Sequence, residues 1–287
     1  MTATSVIPAV RRTRWGVGSL PPVTVTIALV ILAGVIVMVL FPGIAPLDPD
    51  RIDAAAALQG PSAAHWLGTD ELGRDVLSRV IAGARTAFLA PLGLATGIVA
   101  LSLTIGLIAG YAGGWVDTFI GRIVDVLYAV PALLVAIVVV GVTGGGFVMA
   151  IVILTIFGLP SSTRLFRAAA MERVRLPYIE AARTVGTSPV RILFTQMLPT
   201  LRPLIVATLF LQFTYGLIEV STLSFLGLGV PPGASDWGRM MFENRASISA
   251  NAWATIAPGV LLVLLAVSTN VVGDWLYNRY EAKERQR

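Results

Sequence analysis

Six long apolar segments restrict this chain to one kind of fold. They cover residues 23–41, 86–109, 118–140, 147–159, 204–223 and 255–273. A helix needs about 20 apolar residues to cross the hydrocarbon core of a bilayer. Inside lipid, backbone N–H and C=O groups must be bonded within the segment, so apolar runs of this length become helices. Only 13% of the 287 residues are charged, against about 25% in soluble domains. The chain reads as an all-α integral membrane protein with six transmembrane helices. The fourth segment is short and lies between Gly144–Gly146 and Pro160. Pro131 interrupts the third and should kink it, because proline lacks an N–H and clashes with the preceding turn.

The same composition removes several chemistries. There is no cysteine, which excludes disulfides and thiolate sites. His65 is the single histidine and cannot build a zinc site alone. Lys283 is the single lysine, far from any glycine-rich turn. A phosphate-binding loop needs its lysine directly after such a turn, so the chain itself should not hydrolyse ATP. No metal site or nucleic-acid surface is expected, and the net charge of +5 follows from topology.

That topology comes from lysine and arginine, which accumulate on the cytoplasmic side of short loops. With both termini inside, fourteen of the 21 basic residues fall in cytoplasmic segments and six outside, with Arg122 near the inner end of the third span. The expected organisation is a cytoplasmic or interfacial segment 1–22, a retained anchor 23–41, an external loop 42–85, a five-helix core 86–274 and a cytoplasmic tail 275–287. Within the core lie a cytoplasmic loop 161–203 and an external loop 224–254. No internal repeat is visible, which counts against many secondary transporters.

The cytoplasmic loop carries its own punctuation. Residues 178–185 favour helix, Gly186 supplies a left-handed stop, Ser188 can cap a second helix, and Pro189 suits its first turn. Pro199 should end it. Two short helices then meet at a sharp bend that exposes Ala181 and Ala182, small enough for close approach by a partner groove. The competing reading is a basic hairpin lying on anionic lipid. The residues alone leave these two readings balanced.

Glu180, Ala181, Ala182, Gly186, Leu198 and Pro199 resemble the EAA loop of permease subunits of ABC importers. In that family an isoleucine usually stands two residues before Leu-Pro; here Gln196 occupies the position. A second stretch, His65-Trp66-Leu67-Gly68-Thr69-Asp70-Glu71-Leu72-Gly73-Arg74-Asp75, is similar to the segment preceding the second span in the "C" type subunit of dipeptide and oligopeptide permeases. Leu223–Val230, followed by Pro231, Pro232, Asp236, Trp237 and Gly238, is similar to the same subfamily. The resemblance implies a type I ABC importer permease fold with a cytoplasmic coupling helix hairpin, in which Glu180, Ala181, Ala182, Gly186, Ser188 and Pro189 engage an ATPase. It implies a non-catalytic subunit of the bacterial cytoplasmic membrane with no cofactor of its own, ATP and Mg being bound by two partner ATPases. Further implied partners are a homologous second permease and an extracytoplasmic peptide-binding protein. The implied substrate is a dipeptide or oligopeptide, with nickel or glutathione as alternatives.

Polar residues in or near the spans supply the other candidates. Gln212, Tyr215 and Glu219 are spaced to share a helix face, and a carboxylate within a span normally faces water or protein. They are candidates for the translocation path; an interhelical hydrogen bond is the alternative. Arg122 and Asp125, three apart, suit a local ion pair or a cytoplasmic gate. Outside, Asp70 and Glu71 suit a helix start, Asp70 and Arg74 can pair, and His65, Asp70, Arg74 and Asp75 form a candidate external lip. An ion-coupled secondary transporter is the rival class; it would need paired membrane carboxylates and a duplication, and the chain offers Glu219 alone.

Overall fold

The computed structural model describes residues 21–144 and 146–284; the expected interfacial segment before residue 21 and the last three residues of the tail lie outside them. Helix α1 spans Val23–Leu40, α2 Val76–Ala112, α3 Gly114–Tyr128, α4 Ala132–Thr143 and α5 Gly146–Val174. Then come α6 (Pro177–Thr184), α7 (Pro189–Arg191), a π-helical turn (Ile192–Met197), α8 (Leu198–Thr200), α9 (Arg202–Phe225), α10 (Trp237–Glu243) and α11 (Trp253–Glu284). Five of these helices are long and apolar enough to cross a membrane, and α3 with α4 makes a sixth span broken by a 68° bend. The break falls at Ala129–Pro131, with Pro131 at the N-cap of α4, as the missing N–H requires.

Several boundaries differ from the sequence expectation. Helix α2 begins at Val76, inside the supposed external loop, with Asp75 as its N-cap accepting from the Ser78 N–H. The acidic pair Asp70–Glu71 therefore precedes the helix instead of starting it. Helix α5 runs through Pro160 to Val174, so residues 161–174 are helix and not loop. Pro199 does not end the second helix of the elbow; helical geometry continues to Thr200 and breaks at Leu201. Helix α11 carries the supposed tail to Glu284.

Helix α2 is the central post. Gly106 and Gly110 lie one turn apart on it and let α5 approach closely. A Cβ on Gly106 would come within 2.9 Å of the Arg167 N and the Phe166 Cβ, and one on Gly110 within 2.6 Å of the Ala170 Cβ. Small residues at such a spacing are how helices pack tightly where lipid offers no hydrophobic driving force. Three apolar clusters line this post. One, toward α1 and α11, joins Val80, Ala84, Phe213, Leu217, Trp237 and Leu265. A second, toward α4 and α5, joins Leu94, Ile98, Ala136, Leu154, Val220 and Leu223. An inner layer joins Leu107, Ala170, Ile179, Ala182, Ile192 and Met197. The inner layer fixes the elbow to the bundle.

Candidate functional site: the cytoplasmic elbow, the span polar groups and the outer cap

The elbow is built by local backbone chemistry. Gly186 has φ +77°, a conformation that disfavours any Cβ. The Thr187 N–H donates to the Ala182 carbonyl and the Gly186 N–H to the Arg183 carbonyl, both at 3.0 Å. That reciprocal pair closes the end of α6 in a Schellman motif. Ser188 occupies the N-cap of α7, but its side chain makes no capping bond. Arg173 then clamps the far side, donating through Nε to Thr200 Oγ1 at 2.9 Å and through Nη2 to the Thr200 carbonyl at 3.2 Å. Arg183 lies over the Tyr111 ring, 4.6 Å from its centroid. The elbow is thereby tied to α2, α5 and α8.

One expectation about its surface is reversed. Ala182 is buried, packed into the inner layer with Leu107 and Ala170, because its helix must turn one face to the bundle. Ala181, Glu180 and Pro189 are exposed, as are Gly186 and Ser188. The tip carries apolar side chains that the motif did not reveal. Val185 is 80% exposed, Val190 65% and Phe194 62%, and Tyr178 is exposed as well. The sequence does not single them out, since Ile179 and Ile192 in the same loop are equally apolar and are buried. A cluster of exposed apolar groups rimmed by charge marks an interaction surface.

Within the spans, the predicted polar face divides. Gln212 is buried and donates to Ser162 Oγ at 2.6 Å, which ties α9 to α5. Tyr215 is exposed. Glu219 is partly buried and has no hydrogen-bond or ion-pair partner among the described residues. At the inner end, Arg122 and Asp125 do not pair. Asp125 accepts instead from Arg164 Nη2 at 2.6 Å, and that guanidinium also lies 4.4 Å from the Tyr128 ring centroid. Arg167 forms a bidentate pair with Asp117. These two ties strap α3 to α5; nothing in local spacing could have matched residues 39 and 50 apart.

Outside, the four lip residues do come together, as parts of a larger network. Asp75 accepts from Ser78 N, Ser78 Oγ and the His65 ring at 2.8, 2.7 and 3.0 Å. Asp70 accepts from Arg74 Nε at 2.7 Å, and Arg74 Nη2 reaches Glu243 at 3.2 Å. Glu243 also accepts from Arg239 Nε at 2.9 Å and from the Gly233 N–H at 3.0 Å. The fully buried Arg79 donates to the carbonyls of Gly233, Ala234 and Pro49. Asn251 bonds the carbonyls of Leu67 and Thr69, and the Trp237 indole N–H bonds Val80. Two external loops far apart in sequence thus form one cap over the outer ends of α2 and α9. Burial alone would raise Glu243, but the hydrogen bonds of Arg239 and Gly233 and the charges of Arg74 and Arg79 hold its carboxyl below the usual range. Burial pushes Asp236 up, only partly offset by hydrogen bonds that include the Arg239 N–H. The pair Arg239–Glu243, four apart on α10, was legible as a helix neighbour; the role of Arg79 was not. Among the described residues no group of three or more His, Cys, Asp and Glu side chains is placed to hold a metal ion.

Residues 102–286 match the family described as binding-protein-dependent transport system inner membrane component. The chain is 38% identical over 238 residues to the glutathione transport system permease protein GsiD of Pectobacterium atrosepticum, covering 82% of this chain and 77% of that one. It is 34% identical to the dipeptide transport system permease protein DppC of Alkalihalophilus pseudofirmus, covering 90% and 85%. It is 35% identical to the protein of the same description from Haemophilus influenzae, covering 89% of each. The fold is similar to a chain of the MetNI methionine ABC transporter in an inward-facing conformation. The TM-score is 0.55 at 20% identity, covering 69% of this chain and 94% of that chain.

Proposed function

Because this chain belongs to the family of binding-protein-dependent transport system inner membrane components, we propose that it is the permease subunit of an ATP-driven peptide importer. It forms half of a translocation path completed by a homologous second permease. A multi-pass permease of the inner membrane, it works with ATP-binding subunits and a substrate-binding protein. Two ATPases close on ATP, and the closure is delivered to the spans through the elbow. Both termini lie in the cytoplasm. The chain supplies no hydrolytic residue; ATP and Mg stay with its partners. Relatives named for dipeptide and glutathione transport support a small peptide as the cargo. Glu219, a carboxylate in the path-forming helix without a partner among the described residues, supports a polar passage along α9.

The observation that carries this reading is the elbow: apolar at its tip (Val185, Val190, Phe194) and anchored at its base to three helices. An anchored base with an exposed apolar tip transmits force; a hairpin floating on lipid would not need the Arg173 clamp. Energetically the ATPases must bind one permease conformation better than the other, since a ligand of equal affinity shifts nothing. The test is Phe194→Asp in the assembled complex. The side chain is exposed, so folding and membrane insertion should survive, while peptide uptake falls more than about tenfold, the loss expected from one interface hot spot. Normal uptake by this variant would remove the docking assignment. In the same vesicles, uptake that persists without ATP while an ion gradient remains would favour a secondary transporter.

A further inference from the structure

Helix α3 climbs little of the membrane. It meets α4 at a bend of 68°, so its 15 residues, about 22 Å of helix, advance only about 8 Å along the direction of α4. Its ties to α5 agree. Asp117 pairs with Arg167 and Asp125 with Arg164. The aspartates stand about 12 Å apart along α3, the arginines about 4.5 Å apart along α5, so α3 lies across α5 at a steep angle. The arginines also fix its level. Counted from Gly146, where α5 begins at the outer side, they lie about 27 and 32 Å down the helix. That is the inner edge of a hydrocarbon core about 30 Å thick.

At 3.6 residues per turn, α3 divides into three sectors. Asp117 and Val124 face the bundle: Val124 is buried, and Asp117 holds Arg167. Trp115, Phe119, Ile123 and Val126 form a second sector about 80° wide. All four are exposed, Trp115 by 78% and Val126 by 70%. Thr118, Arg122 and Asp125 form the third sector and are exposed too. Arg122 has no hydrogen-bond or ion-pair partner among the described residues. The border between the apolar and polar sectors runs along the length of the helix. A flat helix with such a border is the pattern of a chain lying in a water–lipid interface.

Resting on the importer reading above, which sets the inner side, we infer that α3 is an interfacial helix whose partner is the lipid of the cytoplasmic leaflet. Trp115, Phe119, Ile123 and Val126 enter the acyl boundary, a level that tryptophan favours. Arg122, on the polar edge, lays its aliphatic stem along that surface and reaches the phosphates. A wall of the translocation path would be polar where this sector is apolar. A seam with a helix of the second permease would carry small residues, and these four are large. Arg122 and Asp125 then face headgroups and water instead of gating the path. Helix α5 leads into the elbow at Pro177, so its two ion pairs with α3 tether the elbow-bearing helix to the membrane surface.

The chain contains no cysteine, so single cysteines can report on α3. Trp115→Cys, Thr118→Cys, Phe119→Cys, Arg122→Cys, Ile123→Cys and Val126→Cys each replace an exposed side chain and should leave assembly intact. Each is nitroxide-labelled in the full complex, with partner subunits lacking reactive cysteine, in vesicles of phosphatidylethanolamine and phosphatidylglycerol. Collision with oxygen and with a water-soluble nickel chelate reads contact with lipid, contact with water and depth. Labels at Trp115, Phe119, Ile123 and Val126 should meet oxygen and be shielded from the chelate; those at Thr118 and Arg122 should meet the chelate. Between Trp115 and Val126 the depth should change by about 6 Å, against about 16 Å for an upright helix. The larger change overturns the inference. So does an apolar sector shielded from both reagents, which would seat the second permease there, or one open to the chelate, which would make it a wall of a watery path. ATP-driven peptide uptake is followed with unlabelled complex in the same vesicles. Its absence would remove the importer reading, while the collision pattern would still decide where α3 lies.

Discussion

Gln196 shows how one atom can be out of keeping with its surroundings. It stands in the π-helical turn Ile192–Met197, where members of the family usually carry isoleucine, and its Oε1 is buried without a hydrogen-bond partner. An unmet buried acceptor costs about 1–3 kcal/mol, whereas an apolar side chain of similar volume at the same place costs nothing in hydrogen bonds. Gln196→Ile should therefore stabilise the permease by about 1–2 kcal/mol, read as a rise in the thermal unfolding midpoint of the purified protein in detergent. An unchanged or lower midpoint would mean that the amide oxygen is satisfied within the permease itself and that no such cost is there to remove. Ala182 teaches the complementary lesson. Its small size serves the bundle, beside Leu107 and Ala170, and so a charge placed there damages the fold before it can report on coupling. That is why the uncoupling test belongs on Phe194.

At the scale of elements, what the sequence revealed follows the range of the interactions concerned. The spans were legible because apolarity marks the part of each helix that lies in lipid. Their ends were not, because α2 from Val76 and α5 beyond Pro160 continue as helix through residues whose partners are distant in the chain. Pro160 costs α5 one backbone bond, a loss that helices in membranes absorb through neighbours. The elbow was legible through Gly186 and Pro189, which act locally, yet the inward turn of Ala182 is set by residues on α2 and α5. Likewise Asp125 found Arg164 and not Arg122, because α3 and α5 lie side by side. The α2–α5 seam is the element contact most open to test. Gly110→Leu would drive a Cβ to 2.6 Å from Ala170 and 2.8 Å from the Arg167 carbonyl. Backbone on one side cannot give way cheaply, so the change should cost about 3 kcal/mol, at the upper end of overpacking penalties. It should appear as lost detergent-stable protein, while Gly93→Leu, where nothing lies within 4 Å of the added Cβ, should be tolerated.

For the whole molecule, the structure has two hydrogen-bonded ends joined by a bundle: the elbow below and the ion-bonded cap above. The cap holds together two loops that sequence places more than 150 residues apart, through Arg74, Arg79, Arg239 and Glu243, so its integrity should depend on pH in a way the charges dictate. Glu243 is held below its ordinary value of 4.5. A carboxylate shifted down contributes stability that is fully present above that value and is lost as pH falls through the lower, folded value. Asp236 is shifted up from 3.8 by burial and works the other way: its contribution is present at low pH and fades as pH rises through its folded value. Acidification below about 4.5 therefore removes the stabilisation from Glu243 while Asp236 partly compensates. In Glu243→Gln the downward-shifted group is gone. The variant should be less stable at neutral pH by about 3 kcal/mol, the scale of breaking one partner out of a largely buried pair. It should also show little further loss on acidification. Hydrogen exchange of the cap amides around Trp237, which is buried in the cap with its indole N–H on the Val80 carbonyl, reports on both. Parallel pH profiles for wild type and Glu243→Gln would show that the three arginines hold the cap closed without this carboxylate, and the stabilising role assigned to it would have to pass to Asp70.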